Sequence, residues 1–405
     1  MALLDLVLYG ATGYTGELVA ACLLKASAGG RRLRWGIAGR SAEKLAALRD
    51  RIGAPPDLPC LVADARDPAA LRALARRTRG VLSTAGPYQL LGEGLLRACI
   101  EAGTDYLDLC GEPAWMARMI HAHEAAARAS GARVLFSCGF DSVPFELGVR
   151  FVQQAAMDRY GHPLRQLQGL VVEMKGSVSG GTAASLLATV EASGREPGVA
   201  QIMADPFALT PGFTGTPQPD DPAARLEPLA LAWSAPFVMA AINTKNVHRS
   251  HALLGHPWGR DFVYEERQLW GSGLEGELSA RGAARSLRLQ TTALGLAPAR
   301  ALIRRFVLPK PGQGPAVWQR DRGHYTLRFI GTTALGQTLA ATVRGEGDPG
   351  YSSTSRIASE CAMALMMDSP RGRTPGGIWT PGAALGLELL PRLQQHAGLH
   401  FTLGR

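Results

Sequence analysis

Lysine is nearly missing from this chain. Only five of its 405 residues are lysine, so arginine carries almost all of the net charge of +9. The arginines are dispersed, with no K/R-rich cluster and no recognisable nucleic-acid module, and DNA or RNA binding is not expected. A basic surface still suits phosphorylated or carboxylated small molecules, or peripheral contact with an anionic membrane face. Long apolar runs are also scarce. Beyond the first strand the longest is Leu229 to Ile242, interrupted by Ser234 and Pro236. It falls short of the roughly 20 residues that span a bilayer, which leaves a buried strand or a peripheral contact. Six cysteines (Cys22, Cys60, Cys99, Cys110, Cys138, Cys361) form no C-x-x-C pair. Several fall in apolar runs, as reduced thiols do in a cytoplasmic protein. The amino end has no basic n-region and Asp5 breaks its apolar run, so a signal peptide is not expected. No G-x-S-x-G is present, which removes support for serine-hydrolase chemistry. His248, His251 and His256 match no familiar metal spacing, so loop or surface positions and no metal are expected.

What is present begins at the first residues. Leu3 to Tyr9 is an apolar run of strand length, and Gly10-Ala11-Thr12-Gly13-Tyr14-Thr15-Gly16 follows before a helix-like stretch, Glu17 to Ala28. That order is what a dinucleotide requires. Glycine lets the backbone turn sharply and lets a pyrophosphate approach, while free N–H groups of the helix start face its charge. The spacing is G-x-x-G-x-x-G, a variant of the common fingerprint.

After a stop at Gly29-Gly30 comes a second strand, Leu33 to Ala38. In NAD sites an acidic residue roughly 20 positions beyond the glycines binds the ribose hydroxyls. Here the stretch reads Gly39-Arg40-Ser41-Ala42-Glu43-Lys44, without an acid in that slot. Arg40 offers a planar fork for a 2′-phosphate, and Ser41 a hydroxyl that also caps the next helix, so NADP(H) is the expected cofactor. The alternative is that Arg40 and Lys44 are solvated helix-start residues.

Four more strands follow at Cys60–Asp64, Gly80–Ala85, Tyr106–Cys110 and Arg133–Ser137, each after a helical stretch. This predicts a doubly wound parallel sheet with right-handed crossovers. Ligands bind beyond the carboxyl ends of such strands. The candidate cofactor residues are therefore Gly10 to Gly16, Gly39, Arg40, Ser41, Asp64, Thr84, Ala85, Gly86, Pro87, Cys110 and Gly139.

Together, Gly10 to Gly16, Ala38-Gly39-Arg40, Ala85-Gly86-Pro87-Tyr88, Tyr106 to Pro113 and Ser137 to Pro144 resemble the saccharopine dehydrogenase-like oxidoreductases. Within that group the chain most resembles the branch containing bacterial trans-acting enoyl reductases and the eukaryotic saccharopine dehydrogenase-like oxidoreductase. Ser179-Gly180-Gly181-Thr182-Ala-Ala-Ser185 and Gly376 to Gly386 carry the same resemblance further along the chain. The resemblance implies an NADP(H)-binding Rossmann domain (1–145), an α+β substrate or catalytic domain (146–350) and a C-terminal segment (351–405) docking back on the first domain. Residues 378 to 397, with leucines at 385, 387, 389, 390 and 393, suit a docking helix, or else merely end the second domain.

Hydride transfer needs the nicotinamide close to an electrophilic carbon, and often a proton donor beside it. Three candidate catalytic residues stand at strand ends. Tyr88 is a proton donor or an aromatic lid residue that touches substrate. Asp108 and Glu112 flank the fifth strand, with helix capping favoured for Glu112. Asp141 is an acid or, with Ser142, a helix cap. Gly176 to Thr182 opens a helix containing Ser185 and Leu186, either as a substrate contact through Ser179, Gly180, Gly181 and Thr182 or as a plain connection. Trp233 to Ile242 and Phe306 to Leu308 could line a greasy groove or pack in the core. The Pro/Gly-rich stretch Asp205 to Pro228 reads as a long loop, a candidate lid. The expectation is an NADPH-dependent reductase of an acyl, polyketide or lipid-type unsaturated substrate, free or carrier-bound. Reductive amination and a non-catalytic cofactor-binding scaffold are the alternatives, and a homodimer is one open oligomeric state.

Overall fold

The computed structural model describes residues 3–31, 33–176, 180–296, 298–300 and 314–404. Six strands form in the first third: β1 (Leu6–Tyr9), β2 (Trp35–Gly39), β3 (Cys60–Val62), β4 (Gly80–Ser83), β5 (Asp105–Asp108) and β6 (Arg133–Leu135). Leu6 and Leu8 face one core and Val7 and Tyr9 the other, so β1 is buried on both faces. That is why it reads as an unbroken apolar run, as parallel strands covered by helices do. β1 pairs in parallel with both β2 and β4, which opens a switch point above its carboxyl end.

A seventh parallel strand comes from the far end of the chain. β13 (Gly377–Trp379) adds beside β6, giving the order β13-β6-β5-β4-β1-β2-β3. The single helix expected over 378–397 does not form. A strand returns instead, followed by the short helix Pro381–Leu385 and further broken turns up to Ala397. Pro391 has no N–H for a helical ladder and Gly386 has φ +68, yet Leu385, Leu389, Leu390 and Leu393 are still buried. The leucine spacing reported burial rather than one helix.

The second sheet is mixed, in the order β14-β12-β11-β7-β10-β9-β8. Its members are β7 (Leu164–Lys175), β8 (Arg225–Glu227), β9 (Ala232–Pro236), β10 (Val263–Leu269), β11 (His324–Thr333), β12 (Thr338–Glu346) and β14 (Leu399–Leu403). Only β7 and β10 run parallel. The helices Val143–Tyr160 and Thr354–Met367 contribute to one core that extends from Leu6 and Leu8 to Phe329 and Val343, so the two sheets share apolar packing. Among the described residues no helix is long and apolar enough to cross a membrane.

The run Leu229 to Ile242 splits into β9 and the start of the helix Ala240–Leu253. The stretch 205–228 is irregular up to β8 and pinned, contrary to a lid. Phe207, Leu209 and Thr210 are buried, Arg249 donates to the Leu209 carbonyl at 2.7 Å, and Gln218 bonds the backbone of Phe262 and Tyr264. Proline content marked the lack of regular structure and was silent on these anchors.

Candidate active site

The glycine loop joins β1 to the helix Tyr14–Ala28. Gly10 has φ +79, and a Cβ there would meet Thr84 Oγ1 and Ala85 N at 3.0 Å. A Cβ on Gly16 would collide with the Gly10 carbonyl oxygen, so loop and helix start are in direct backbone contact. Thr84 holds the adjacent strand end against this turn, its hydroxyl donating to the Tyr9 and Gly10 carbonyls at 3.2 Å. No side chain caps the helix at Gly13, so its first N–H groups face the crevice. Uncapped amides, close backbone and the switch point fit a pyrophosphate.

Arg40 follows β2 as an exposed side chain with no ion pair among the described residues. Ser41 caps the helix Ala42–Arg51, accepting the Lys44 N–H at 3.3 Å. Thr12 lies over Gly39. Two further candidate residues make contacts of their own. The Asp64 carboxylate accepts the Arg66 N–H at 2.8 Å within its own turn. The Tyr14 side chain turns away from the loop, donating to the Pro315 carbonyl at 2.5 Å and meeting Tyr351 edge-on at 4.8 Å.

Beyond the ends of β4, β5 and β6 a cleft of about 1,130 Å³, counting its open mouth, separates this sheet from the second domain. Thr15, Thr84, Gly86, Tyr88, Cys110 and Gly139 line the side of the cleft next to the glycine loop and the strand ends. Leu186, Met203, Val238, Met239 and Ile242 make an apolar wall opposite. Gly181 lines the cleft, and Gly180 donates its N–H to the Tyr351 hydroxyl at 2.9 Å. Ser179, the side chain of Thr182 and the segment Phe306 to Leu308 lie outside the described residues. Trp233 does not line the cleft and packs beneath Arg281 on β9.

The three candidate acids separate sharply. Tyr88 is buried with its ring at the cleft, but its hydroxyl donates to the Ser83 carbonyl at 3.0 Å and accepts the Leu109 N–H at 3.1 Å. Burial holds that hydroxyl well above its ordinary range, so it clamps β4 to β5. Asp108 is fully buried behind the cleft wall. Its carboxylate accepts the Cys110 and Ser137 N–H groups at 2.9 and 3.1 Å and the Tyr106 hydroxyl at 3.1 Å. Desolvation nonetheless raises it to about 7. Its bond to Ser137 supports a residue with φ +62, outside the usual range for serine. Asp141 differs. Its carboxyl lines the cleft with no hydrogen bond or ion pair among the described residues, and burial raises it to about 6.

Glu112 does not cap the helix it precedes. Its two oxygens accept the Tyr88 and Gln89 N–H groups at 2.9 and 2.8 Å, capping the neighbouring helix Tyr88–Leu91 instead. It also accepts the Ser185 hydroxyl at 2.6 Å, across the cleft from the helix Gly180–Arg195. This link lay beyond sequence reading because its partners are 24 and 73 residues away. The histidines expected in loops or at the surface are another departure. His248 and His251 are buried among Phe207, Trp258 and Phe262, where desolvation lowers them to about 3 and 4.

A switch-point crevice with an uncapped helix start, opening into an apolar cleft, defines a dinucleotide-dependent oxidoreductase. Residues 6–135 match the saccharopine dehydrogenase NADP binding domain, which identifies the cofactor as NADP(H). Over 402 residues the chain is 40% identical to a putative trans-acting enoyl reductase of Mycobacterium tuberculosis, covering 96% of this chain and 95% of that one. It is 36% identical over 405 residues to the trans-acting enoyl reductase of Mycobacterium ulcerans, covering 96% of each. The apo saccharopine dehydrogenase (L-Glu forming) of Saccharomyces cerevisiae shares the fold, with a TM-score of 0.56 at 12% identity over 99% of this chain and 100% of that one. The chain belongs to the saccharopine dehydrogenase-like oxidoreductase family.

Proposed function

We propose that this NADP-dependent oxidoreductase reduces a conjugated C=C bond in an apolar acyl thioester, delivered on a carrier, and that Asp141 provides the proton. Reduction of such a bond needs a hydride, which the nicotinamide supplies when bound, and a proton for the neighbouring carbon. Of the carboxylates among the described residues, Asp141 is the one that lines the cleft, and this carries the reading. Tyr88 and Asp108 serve as positioning residues that hold the strand ends beneath it. The wall of Leu186, Met203, Val238, Met239 and Ile242 suits a hydrocarbon chain. No arginine or lysine among the described residues lines the cleft, which disfavours the carboxylate-rich substrates of reductive amination. The printed names of the Mycobacterium relatives agree with an enoyl substrate. Six unpaired cysteines accord with a reducing cytoplasm.

NADPH consumption with carrier-borne and free enoyl thioesters of graded chain length tests this. Turnover that rises with chain length and falls at least about a hundredfold in Asp141→Asn is expected. NADPH binding without turnover of any thioester would favour the scaffold alternative.

A further inference from the structure

Behind the apolar wall lies a second cavity of about 570 Å³, open to solvent. The segment 237–244 separates the two spaces. Val238, Met239, Ala241 and Ile242 face the cleft, whereas Phe237, Ala240 and Thr244 face the second cavity. The barrier is therefore a single chain segment that turns into a helix. Glu266, on β10, lines the outer cavity although its side chain is almost wholly buried. Its oxygens accept the Asn243 amide and the Tyr264 hydroxyl, each at 2.8 Å.

Asn243 has a counterpart one turn further along the same helix. Asn246 donates to the Ser142 hydroxyl at 2.7 Å, and Ser142 directly follows Asp141. Residues three apart share a helix face, so one face holds both Glu266 and the Asp141–Ser142 turn. The carbonyl oxygens of both asparagines are buried and accept nothing among the described residues. Buried amide acceptors are ordinarily satisfied, and two of them on one helix face call for a donor there. A protonated carboxyl or a water passing from Glu266 to Asp141 would supply one.

We propose that Glu266 is the proton-entry residue of this site, passing a proton through the wall to Asp141 while cofactor and acyl chain seal the cleft. The inference rests on Asp141 as proton donor. In the step, the O–H bond of the Glu266 acid breaks and an O–H bond forms on the Asp141 carboxylate. The Glu266 carboxylate then takes a proton from water in the outer cavity. Each turnover thus consumes one solvent proton, which ends on the substrate carbon. Burial and the nearby Asp141 raise Glu266 to about 8, so it holds its proton at neutral pH. The other charged groups facing it leave that proton in place. Arg267 is paired with Glu227 and Arg225 with Glu265, while Asp220 and Asp221 make the cavity acidic.

The test is the pH dependence of steady-state NADPH oxidation, between pH 5.5 and 9.5, for the intact wild-type protein, Glu266→Gln, Glu266→Asp and Asp141→Asn. In the wild type, kcat should fall only above about pH 8, the apparent value belonging to the pair. Glu266→Gln should move that break down toward about 6 and lower kcat at pH 8 by about fiftyfold, with KM and NADPH affinity kept. Its solvent deuterium isotope effect should rise. Glu266→Asp, which keeps an acid, should retain more of the upper limb and serves as the test should the Gln variant not fold. Wild-type profiles and isotope effects in Glu266→Gln, or identical profiles for Gln and Asp, overturn the relay. Full activity in Asp141→Asn would instead overturn the donor assignment on which it rests.

Discussion

The Ser185 hydroxyl donates to Glu112 at 2.6 Å, and the same carboxylate oxygen accepts the Tyr88 N–H at 2.9 Å. One buried acid thus couples the helix over the substrate cleft to the loop beyond β4. Removing the hydroxyl leaves Glu112 its two backbone donors, whereas an amide in place of the acid keeps one acceptor oxygen and sets its NH2 against a backbone N–H. Ser185→Ala should cost about 1 kcal/mol in chemical denaturation and chiefly raise KM. Glu112→Gln, whose amide would face N–H groups, should cost about 3 kcal/mol and lower kcat as well. Equal effects of the two variants would show that the carboxylate has no wider role.

Arg40 stands exposed beside the Ser41 cap with no ion pair to break. Its guanidinium is available for a 2′-phosphate, and a charge-assisted contact of this kind is worth about 1.5–3 kcal/mol. NADPH should bind at least about tenfold tighter than NADH, and Arg40→Ala should erase the difference by weakening NADPH alone. Fluorescence titration with both coenzymes decides this, and equal affinities in the wild type would refute the assignment.

Gly16 permits a backbone contact that no other residue allows, because a Cβ would collide with the Gly10 carbonyl. Gly16→Ala must push the helix start away from the Gly10 loop, the expected pyrophosphate contact. A loss of about a hundredfold or more in NADPH affinity is expected, with circular dichroism close to wild type. At Gly13 the nearest atom to a Cβ is 3.3 Å away, so Gly13→Ala should be milder.

Burial raises Asp141 to about 6, Asp108 and Glu146 to about 7, and Glu266 to about 8. All four bind protons more tightly folded than unfolded. Buried His248 and His251, lowered to about 3 and 4, lose protons on folding, but from about pH 5 to 8 the four acids outweigh them, so the native state carries the larger number of protons and stability falls as pH rises. The melting temperature should be highest in mild acid and decline toward pH 8. Glu146→Gln, which keeps an amide where the acid meets Ser250 and Gly382, should flatten part of that slope. A rising melting temperature over this range would contradict the raised acids.

The strands β1, β2, β4, β5 and β6 were legible because both their faces are buried, which leaves short apolar runs, and because helices with their own stop signals separate them; β3, with Val62 exposed at the sheet edge, was legible from its place between two such helices. The glycine loop was legible for a related reason. Close backbone approach tolerates one residue type, so the constraint is written locally. The strand β13 was not, since its three residues are recruited by β6 from about 240 positions away. Nor was the direction in which an acid points. Asp108, Glu112 and Asp141 look alike at strand ends, and the fold gives them a buried tie, a bridge and a free carboxyl.

By itself the amino-acid sequence determined the alternation of strand and helix, the coenzyme turn and the cationic residue beside it. These follow from local backbone freedom, burial period and charge, which neighbouring residues encode. Only the tertiary structure decided which acid reaches the cleft and what forms its apolar wall. Those properties arise from chain segments more than a hundred residues apart meeting in one low-dielectric space, where a carboxyl's role depends on the donors that packing places around it.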